Sequence, residues 1–416
     1  MNYDVIVLGA GIVGVSTALQ LQAGGRSVCL VDKLAPGEGA SFGNAGLIER
    51  SSVIPYAFPR SLTKLIRYAL NRESDVHYQF SYLPKIAPWL FSYWWHSSKK
   101  GIAKAAAAML PLIERCVIEH DVLSTKAQMQ PLINDKGWIE IFRDSKVFEH
   151  AKKQAEQLAK PPYLLQYDVL TTQQFRQLEP AFNDNVKGAI HWLQPKTVCD
   201  PCALTKGYAA LFVKQGGILM KQSVIGLTAV ENLWQVKLSA TNLLAKQIVI
   251  ALGADSADLL RTLGYKVPLG VKRGYHRHYA MTSDNKLNRP VCDHLAGFII
   301  APMTKGVRLT TGAEFSWDSS PANDIQLKRD EAIISSYYHL GKPIESIPWF
   351  GRRPCLPDMV PVISELPYHK GIWTNFGHAH HGLTLAPATG RLLAEMMTDE
   401  KPFTNPTPYK IERFIH

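Results

Sequence analysis

Apolar residues follow two rhythms along this chain, and the two predict different kinds of sheet. Residues 3–9, Tyr-Asp-Val-Ile-Val-Leu-Gly, form a nearly unbroken apolar run of strand length. Such a run suits a strand buried on both faces. Residues 15–22 place Ala18, Leu19 and Leu21 on the inner side of a helix that Gly24 and Gly25 end. Residues 27–32 are a second buried run. Strand, helix and strand make a βαβ unit. The same rhythm returns at residues 247–255, a buried strand that runs into a glycine turn.

The second rhythm is strict alternation, and it begins after Pro268. Residues 271–280 alternate as an antiparallel strand would, and 297–301 and 306–312 continue as a meander. Residues 55–135 read as mainly helical. Strands are expected at 137–143, 188–193, 218–220, 233–238 and 371–375. Helices are expected at 144–160, 171–179, 203–215 and 324–340, with a last one at 391–398. The pattern predicts an α/β fold: a discontinuous, Rossmann-like dinucleotide-binding domain from 1–55, 180–268 and 345–400. A substrate domain with a mixed, largely antiparallel sheet and helices comes from 56–179 and 269–344. Residues 401–416 form a C-terminal tail.

Composition narrows this reading. The 416 residues are 46% hydrophobic and 19% charged, enough to build a large core. No apolar stretch is long enough to span a bilayer, and no signal peptide is expected. The net charge of +11 favours anionic partners, but no dense basic tract marks a nucleic-acid site. A cytoplasmic protein with six free thiols is expected, and Cys199-Asp-Pro-Cys202 lacks the context of a redox pair or a zinc site. The aromatic stretch 83–95, followed by Lys99 and Lys100, reads as a core helix on the substrate lobe in preference to a membrane-interface segment.

The first βαβ turn carries the candidate chemistry. Gly9-Ala-Gly11-Ile12-Val13-Gly14 is the G-x-G-x-x-G pattern between strand and helix, and Asp32 ends the second strand. Gly9 permits the tight turn, Gly11 the approach of a pyrophosphate, and Gly14 the close packing of the helix. Asp32 can accept hydrogen bonds from a ribose diol. This motif by itself leaves FAD and NAD open. A glycine-rich loop, residues 36–46, follows and suits a chain running beside a cofactor.

Further motifs then fall in a recognisable order. They are Asn44-Ala-Gly46, Ala251-Leu-Gly253, Gly274-Tyr275, Gly351-Arg-Arg-Pro354 with Pro357-Asp358, and Gly377-His378 through Gly390. In this ordered set the chain resembles the flavin-dependent D-amino-acid oxidase superfamily over nearly its whole length. It is most like the small-subunit type of D-amino-acid dehydrogenase, with glycine oxidase a neighbour. The resemblance implies FAD, held non-covalently because Gly351 stands where covalent variants carry a cysteine.

The resemblance also implies roles. Gly9, Gly11, Ile12, Val13, Gly14, Asp32 and Lys33 would hold the pyrophosphate and adenosine. Ser41, Asn44, Ala45, Gly46 and Leu47 would run along the phosphates and flavin. Val224 would face adenine, and Gly253 would border the dinucleotide. Gly382, Leu383 and Thr384 would sit by the flavin pyrimidine ring, near a helix opening at about Ala388. Arg353 would bind the substrate carboxylate, with Tyr275 and His380 beside the substrate or the flavin edge. Arg352, where the family has an apolar residue, either points away or favours a more acidic substrate. No metal is expected, although His378, His380 and His381 crowd one loop.

The activity so implied is oxidative deamination of a D-amino acid, D-proline and D-hydroxyproline types included. A hydride leaves the α-carbon for the flavin, and electrons pass to a quinone or other acceptor. The basic balance and the aromatic stretch add an expected peripheral contact with the inner membrane face. The competing readings are an oxygen-using oxidase of the glycine or sarcosine type, a flavoprotein acting on modified RNA, and a flavin scaffold without turnover.

Overall fold

Residues 2–415 are described by the computed structural model of the chain. Asn2–Leu8 is buried because it lies inside a parallel sheet. It pairs with Val28–Asp32 on one side and Asn242–Ile250 on the other. Ile218–Lys221 extends the first flank, while His369–Phe376 and Leu233–Leu238 flank Asn242–Ile250. This eight-stranded sheet is the Rossmann-like half of the molecule. The chain leaves it after Asp32 and re-enters more than 180 residues later. Strand order therefore departs from chain order, which is what opens a crevice at the strand ends.

A mixed ten-stranded sheet makes the second half. Gly270–Tyr279 is its organising strand, pairing antiparallel with Gly306–Thr310 and with Trp349–Cys355. Two segments that the sequence reading assigned to the cofactor domain are strands here: Gly188–Trp192, paired with Trp138–Phe142, and Trp349–Cys355. Their apolar runs are too short to tell which sheet they join.

The last helix corrects the sequence reading most. It spans Gly382–Met397, starting nine residues before the expected 391. Gly382, Pro387 and Gly390 suggest a loop, yet the helix runs through Pro387 and both glycines have a helical use. Gly382 opens the helix, and Gly390 marks its closest approach to the first helix, Ile12–Ala23. A Cβ at Gly390 would lie 2.9 Å from the Thr17 backbone nitrogen. Small size at a helix crossing outweighs local propensity there. The expected helix at 324–340 is shorter, Ile325–Ile334. All six cysteines are free thiols.

His120 ties three helices together. It sits fully buried on Lys99–Ala127, where its Nε2 donates to the Leu383 carbonyl at 2.7 Å and its Nδ1 lies 3.1 Å from the Tyr208 hydroxyl. Burial pushes its pKa down to about 4. The folded state therefore holds this ring neutral, while the unfolded chain protonates it below about pH 6.5. Its contribution is full above that pH and is lost as pH falls toward 4, at about 1.4 kcal/mol per unit. Relative to wild type, His120→Gln should thus gain stability steadily from pH 7 to pH 5 in denaturant titrations. A pH-independent difference would contradict a neutral His120.

Candidate active site

A single cavity of about 1320 Å³ runs from the Gly9 turn to the ten-stranded sheet. Small-molecule sites usually hold roughly 300–1000 Å³, so this one has room for a dinucleotide together with a small substrate.

One end is built by the first turn. Gly9 has φ +109°, and a Cβ there would lie 2.3 Å from the Ala251 carbonyl oxygen. A Cβ at Gly14 would lie 1.8 Å from the Gly9 carbonyl oxygen, so the helix can start only with glycine there. At Gly11 a Cβ would meet only Ser41 Oγ, at 3.5 Å, and would otherwise fill cavity space. The helix has no acid in its first turn and no side-chain cap bond from Gly11. Its N–H groups and dipole are thus available to an anion. Asp32 braces the turn, accepting from Ala10 N at 2.6 Å and Leu34 N at 2.9 Å. Ser41 Oγ accepts from Ile12 N at 3.0 Å. Lys33, Val224 and Gly253 complete this end, with Lys33 paired to Asp255 at 2.9 Å. A space bounded by a glycine cradle and a helix N-terminus with no acid in its first turn suits a pyrophosphate.

In the middle, Ile12, Val13, Asn44, Ala45, Leu47, Gly382 and Leu383 line the wall. The N-terminus of Gly382–Met397 opens here without an acid or a side-chain cap bond. Three residues expected to touch the cofactor do not reach the cavity: Gly14, Gly46 and Thr384. They position those that do. Gly46, at φ +77°, packs against Val198, where a Cβ would be 2.2 Å from the carbonyl oxygen. Thr384 Oγ1 donates to the Leu47 carbonyl at 3.1 Å and accepts from Glu49 N at 3.2 Å. It pins the strand after the glycine loop to the helix start.

The other end is set by the antiparallel pair Gly270–Tyr279 and Trp349–Cys355. Their register places Lys272 opposite Arg353, Gly274 opposite Gly351 and Tyr275 opposite Phe350. Alternation sends Lys272, Gly274 and Arg353 to the cavity. Tyr275 corrects the expectation: it faces away, is buried, and donates to Glu314 at 2.5 Å. An odd position on this strand cannot share a face with Gly274.

Arg353 lies across Gly274, its Nη2 only 2.2 Å from where a Cβ would stand. It donates to the Gly312 carbonyl at 2.7 Å and the Thr311 carbonyl at 3.2 Å. Among the described residues no carboxylate pairs with it, and burial lowers its pKa from the ordinary value. Arg352 is the opposite case. Its two ends are taken by Asp255 at 2.5 Å and Asp318 at 3.1 Å.

The histidine loop divides. His378 is buried at the cavity edge, 3.1 Å from Thr389 Oγ1, and burial pushes its pKa down to about 3. His380 lines the cavity, and its Nε2 is buried without a partner. Burial, then the positive charges of His381, Arg353 and Lys272, hold its pKa well below the ordinary range. It is therefore a neutral ring at working pH. His381 Nδ1 is 3.3 Å from a Glu49 carboxylate oxygen. Ligand-type atoms of Glu49, His380 and His381 come within 4.8 Å of one another, a gathering the sequence reading did not anticipate.

Lys272 was also missed, although its spacing of two from Gly274 was a usable signal. Its ammonium sits 4.4 Å from the Tyr93 ring centroid, 5.3 Å from Trp89 and 6.0 Å from Phe315.

The family model described as FAD dependent oxidoreductase (DAO) matches residues 4–396. The chain is 28% identical to a D-amino-acid oxidase of Bradyrhizobium diazoefficiens, with 99% of each protein covered. It is 24% identical to a D-amino acid dehydrogenase of Helicobacter pylori, with 96% of each covered. Among solved structures it is similar to glycine oxidase from Geobacillus kaustophilus, with TM-score 0.75 at 19% identity over 100% of both chains.

Proposed function

Since the chain belongs to the FAD-dependent oxidoreductase (DAO) family, we propose that it oxidises a D-amino acid whose carboxylate Arg353 binds. The observation that carries this reading is the Arg353 guanidinium, a charged fork with no carboxylate partner among the described residues, facing the cavity beside the histidine loop. A carboxylate leaving water needs a charge-assisted, bidentate partner, and Arg supplies one. FAD, when bound, supplies the acceptor for the α-carbon hydride.

The lobe of the eight-stranded sheet would carry FAD, with the pyrophosphate over Gly11 and the ribose near Asp32. Val224 would face the adenine, and Ser41, Asn44, Ala45 and Leu47 would follow the phosphates and flavin. The helix start at Gly382 and Leu383 would sit against the pyrimidine ring, where its dipole favours negative charge. The lobe of the ten-stranded sheet would hold the substrate. His380, neutral and with a free Nε2, is suited to take a hydrogen bond from the substrate amine. The two cations nearby favour an uncharged amine, the form whose lone pair assists hydride loss.

Mixing the flavoprotein anaerobically with D- and L-amino acids tests this reading. Flavin bleaching by at least one D-amino acid is expected. A panel that leaves the flavin oxidised would overturn it.

We further propose a dehydrogenase that meets a quinone at an anionic membrane surface. No described helix is long and apolar enough to cross a membrane. The short helix Leu62–Ala69 nevertheless turns its apolar side outward: Leu62 is 72% and Ile66 53% exposed, and Leu70 beyond it 58%. Lys64 and Tyr68 of the same helix line the cavity mouth. The aromatic stretch is split, with Trp89 and Tyr93 buried, Tyr93 in the cavity wall, and Phe91 and Trp95 exposed. Exposed apolar groups among Arg60, Lys64 and Arg67 are the pattern of an interfacial contact. Vesicles containing anionic lipid should retain the protein at low salt, and Ile66→Glu should release it. Reduced enzyme that reoxidises in air as fast as with a quinone analogue would contradict the dehydrogenase reading.

A further inference from the structure

The reading above uses one of the two cations that face the substrate end of the cavity. We propose that Lys272 binds a second anionic group, so that the preferred substrate is an amino acid with a carboxylate in its side chain. This rests on the proposed carboxylate role of Arg353.

Register makes the two cations direct cross-strand neighbours on one face. Like charges in that position destabilise a sheet unless something offsets them. Among the described residues, neither has a carboxylate partner. Nor are the cavity's acids available to them. Asp75 accepts from Tyr68 at 2.5 Å, Glu140 lies 2.6 Å from His294, Glu49 lies 3.3 Å from His381, and Asp255 is held by Lys33 and Arg352. The deep end of the cavity is left with two uncompensated positive charges. A half-buried charge with no carboxylate partner is costly, and an anionic occupant lowers that cost.

The head groups lean apart, which argues for two anions rather than one. Arg353 reaches over Gly274. Lys272 reaches the other way, toward Trp89, whose indole is 2.5 Å from a Cβ placed on Gly270. Head groups turned toward opposite ends of the strand are better matched by two carboxylates on one amino acid than by a single carboxylate. The aromatic box of Trp89, Tyr93 and Phe315 fixes the ammonium by cation–π attraction without neutralising it. Lys272 is thus pre-positioned, with its ammonium left open to a ligand. Both cations also depress the His380 pKa, as groups sharing one compartment would. Of the two expectations for Arg352, pointing away or favouring a more acidic substrate, its pairing with Asp255 and Asp318 fits the first.

The test compares acid and amide isosteres on the holoenzyme with a dye acceptor: D-glutamate against D-glutamine, and D-aspartate against D-asparagine. Wild type should prefer the better acid over its amide by about tenfold or more in kcat/KM. Lys272→Met should cut kcat/KM for the acid by about 100-fold and for the amide far less, collapsing the preference. Lys272→Arg should restore part of it. Flavin content reports folding of each variant. Equal use of acid and amide by wild type overturns the inference without needing any variant. So does a Lys272→Met enzyme that loses both substrates equally, because Lys272 would then serve the α-carboxylate or the packing. Turnover of neither acids nor amides, with no bleaching by any D-amino acid, removes the functional reading itself and this inference with it.

Discussion

Arg353→Met should lower kcat/KM for the best amino acid by about two to four orders of magnitude while flavin content stays near normal. The guanidinium has five N–H donors, and the structure uses two of them on the Gly312 and Thr311 carbonyls. Those bonds fix the fork without neutralising it and leave donors for a carboxylate. Removing one partner of a desolvated charge pair leaves the other unpaired, which is why the loss is large. Arg353→Lys should recover only part, since an ammonium cannot make the planar fork. Arg352 is the control, adjacent and equally charged but turned to Asp255 and Asp318. Its change to methionine should cost less than about tenfold in kcat/KM. A dead Arg352 variant beside an active Arg353 variant would move the carboxylate site to the wrong neighbour. Two active variants would mean that no carboxylate is held here.

Gly14→Ala should give a protein that carries little or no FAD and melts lower even as the apoprotein. The added methyl would stand 1.8 Å from the Gly9 carbonyl oxygen and 2.9 Å from its carbon, both backbone atoms. No rotamer relieves that contact, so the first helix must move off the first strand. Overpacking of this kind costs about 1–3 kcal/mol, or about 1–4 °C in a chain of this size. Gly11→Ala separates folding from binding, because its methyl meets only Ser41 Oγ at 3.5 Å. The Gly11 variant should melt like wild-type apoprotein yet bind FAD at least about tenfold more weakly, since the methyl occupies the approach to the pyrophosphate. Full flavin in the Gly11 variant would show that no phosphate passes there. An unchanged apoprotein melt for Gly14→Ala would show that the helix and turn are not in contact.

Much of this protein was legible before folding. The first strand, its glycine turn, the helix and Asp32 are contiguous, so local propensity and spacing determine them together. The Asn242–Ile250 strand was recognisable from its buried apolar run, and alternation marked Gly270–Tyr279. Arg353 was readable from a motif because the carboxylate proposed to bind there calls for one residue type.

Other features depend on which distant segments meet, and no local pattern encodes that. Trp349–Cys355 becomes a strand because Gly270–Tyr279 offers it an edge. That register then sets Lys272 beside Arg353, two residues 81 positions apart, and turns Tyr275 away. The final helix continues through Pro387 and Gly390 because the first helix packs on it there, an energy absent from the segment alone. Glu49 meets His380 and His381 only because Thr384 ties the end of the glycine loop to that helix. Sequence alone determined the class of chemistry, since that resides in residue types at short spacing. Tertiary structure decided which charges stay unpaired inside the cavity, since compensation is a matter of neighbours in space.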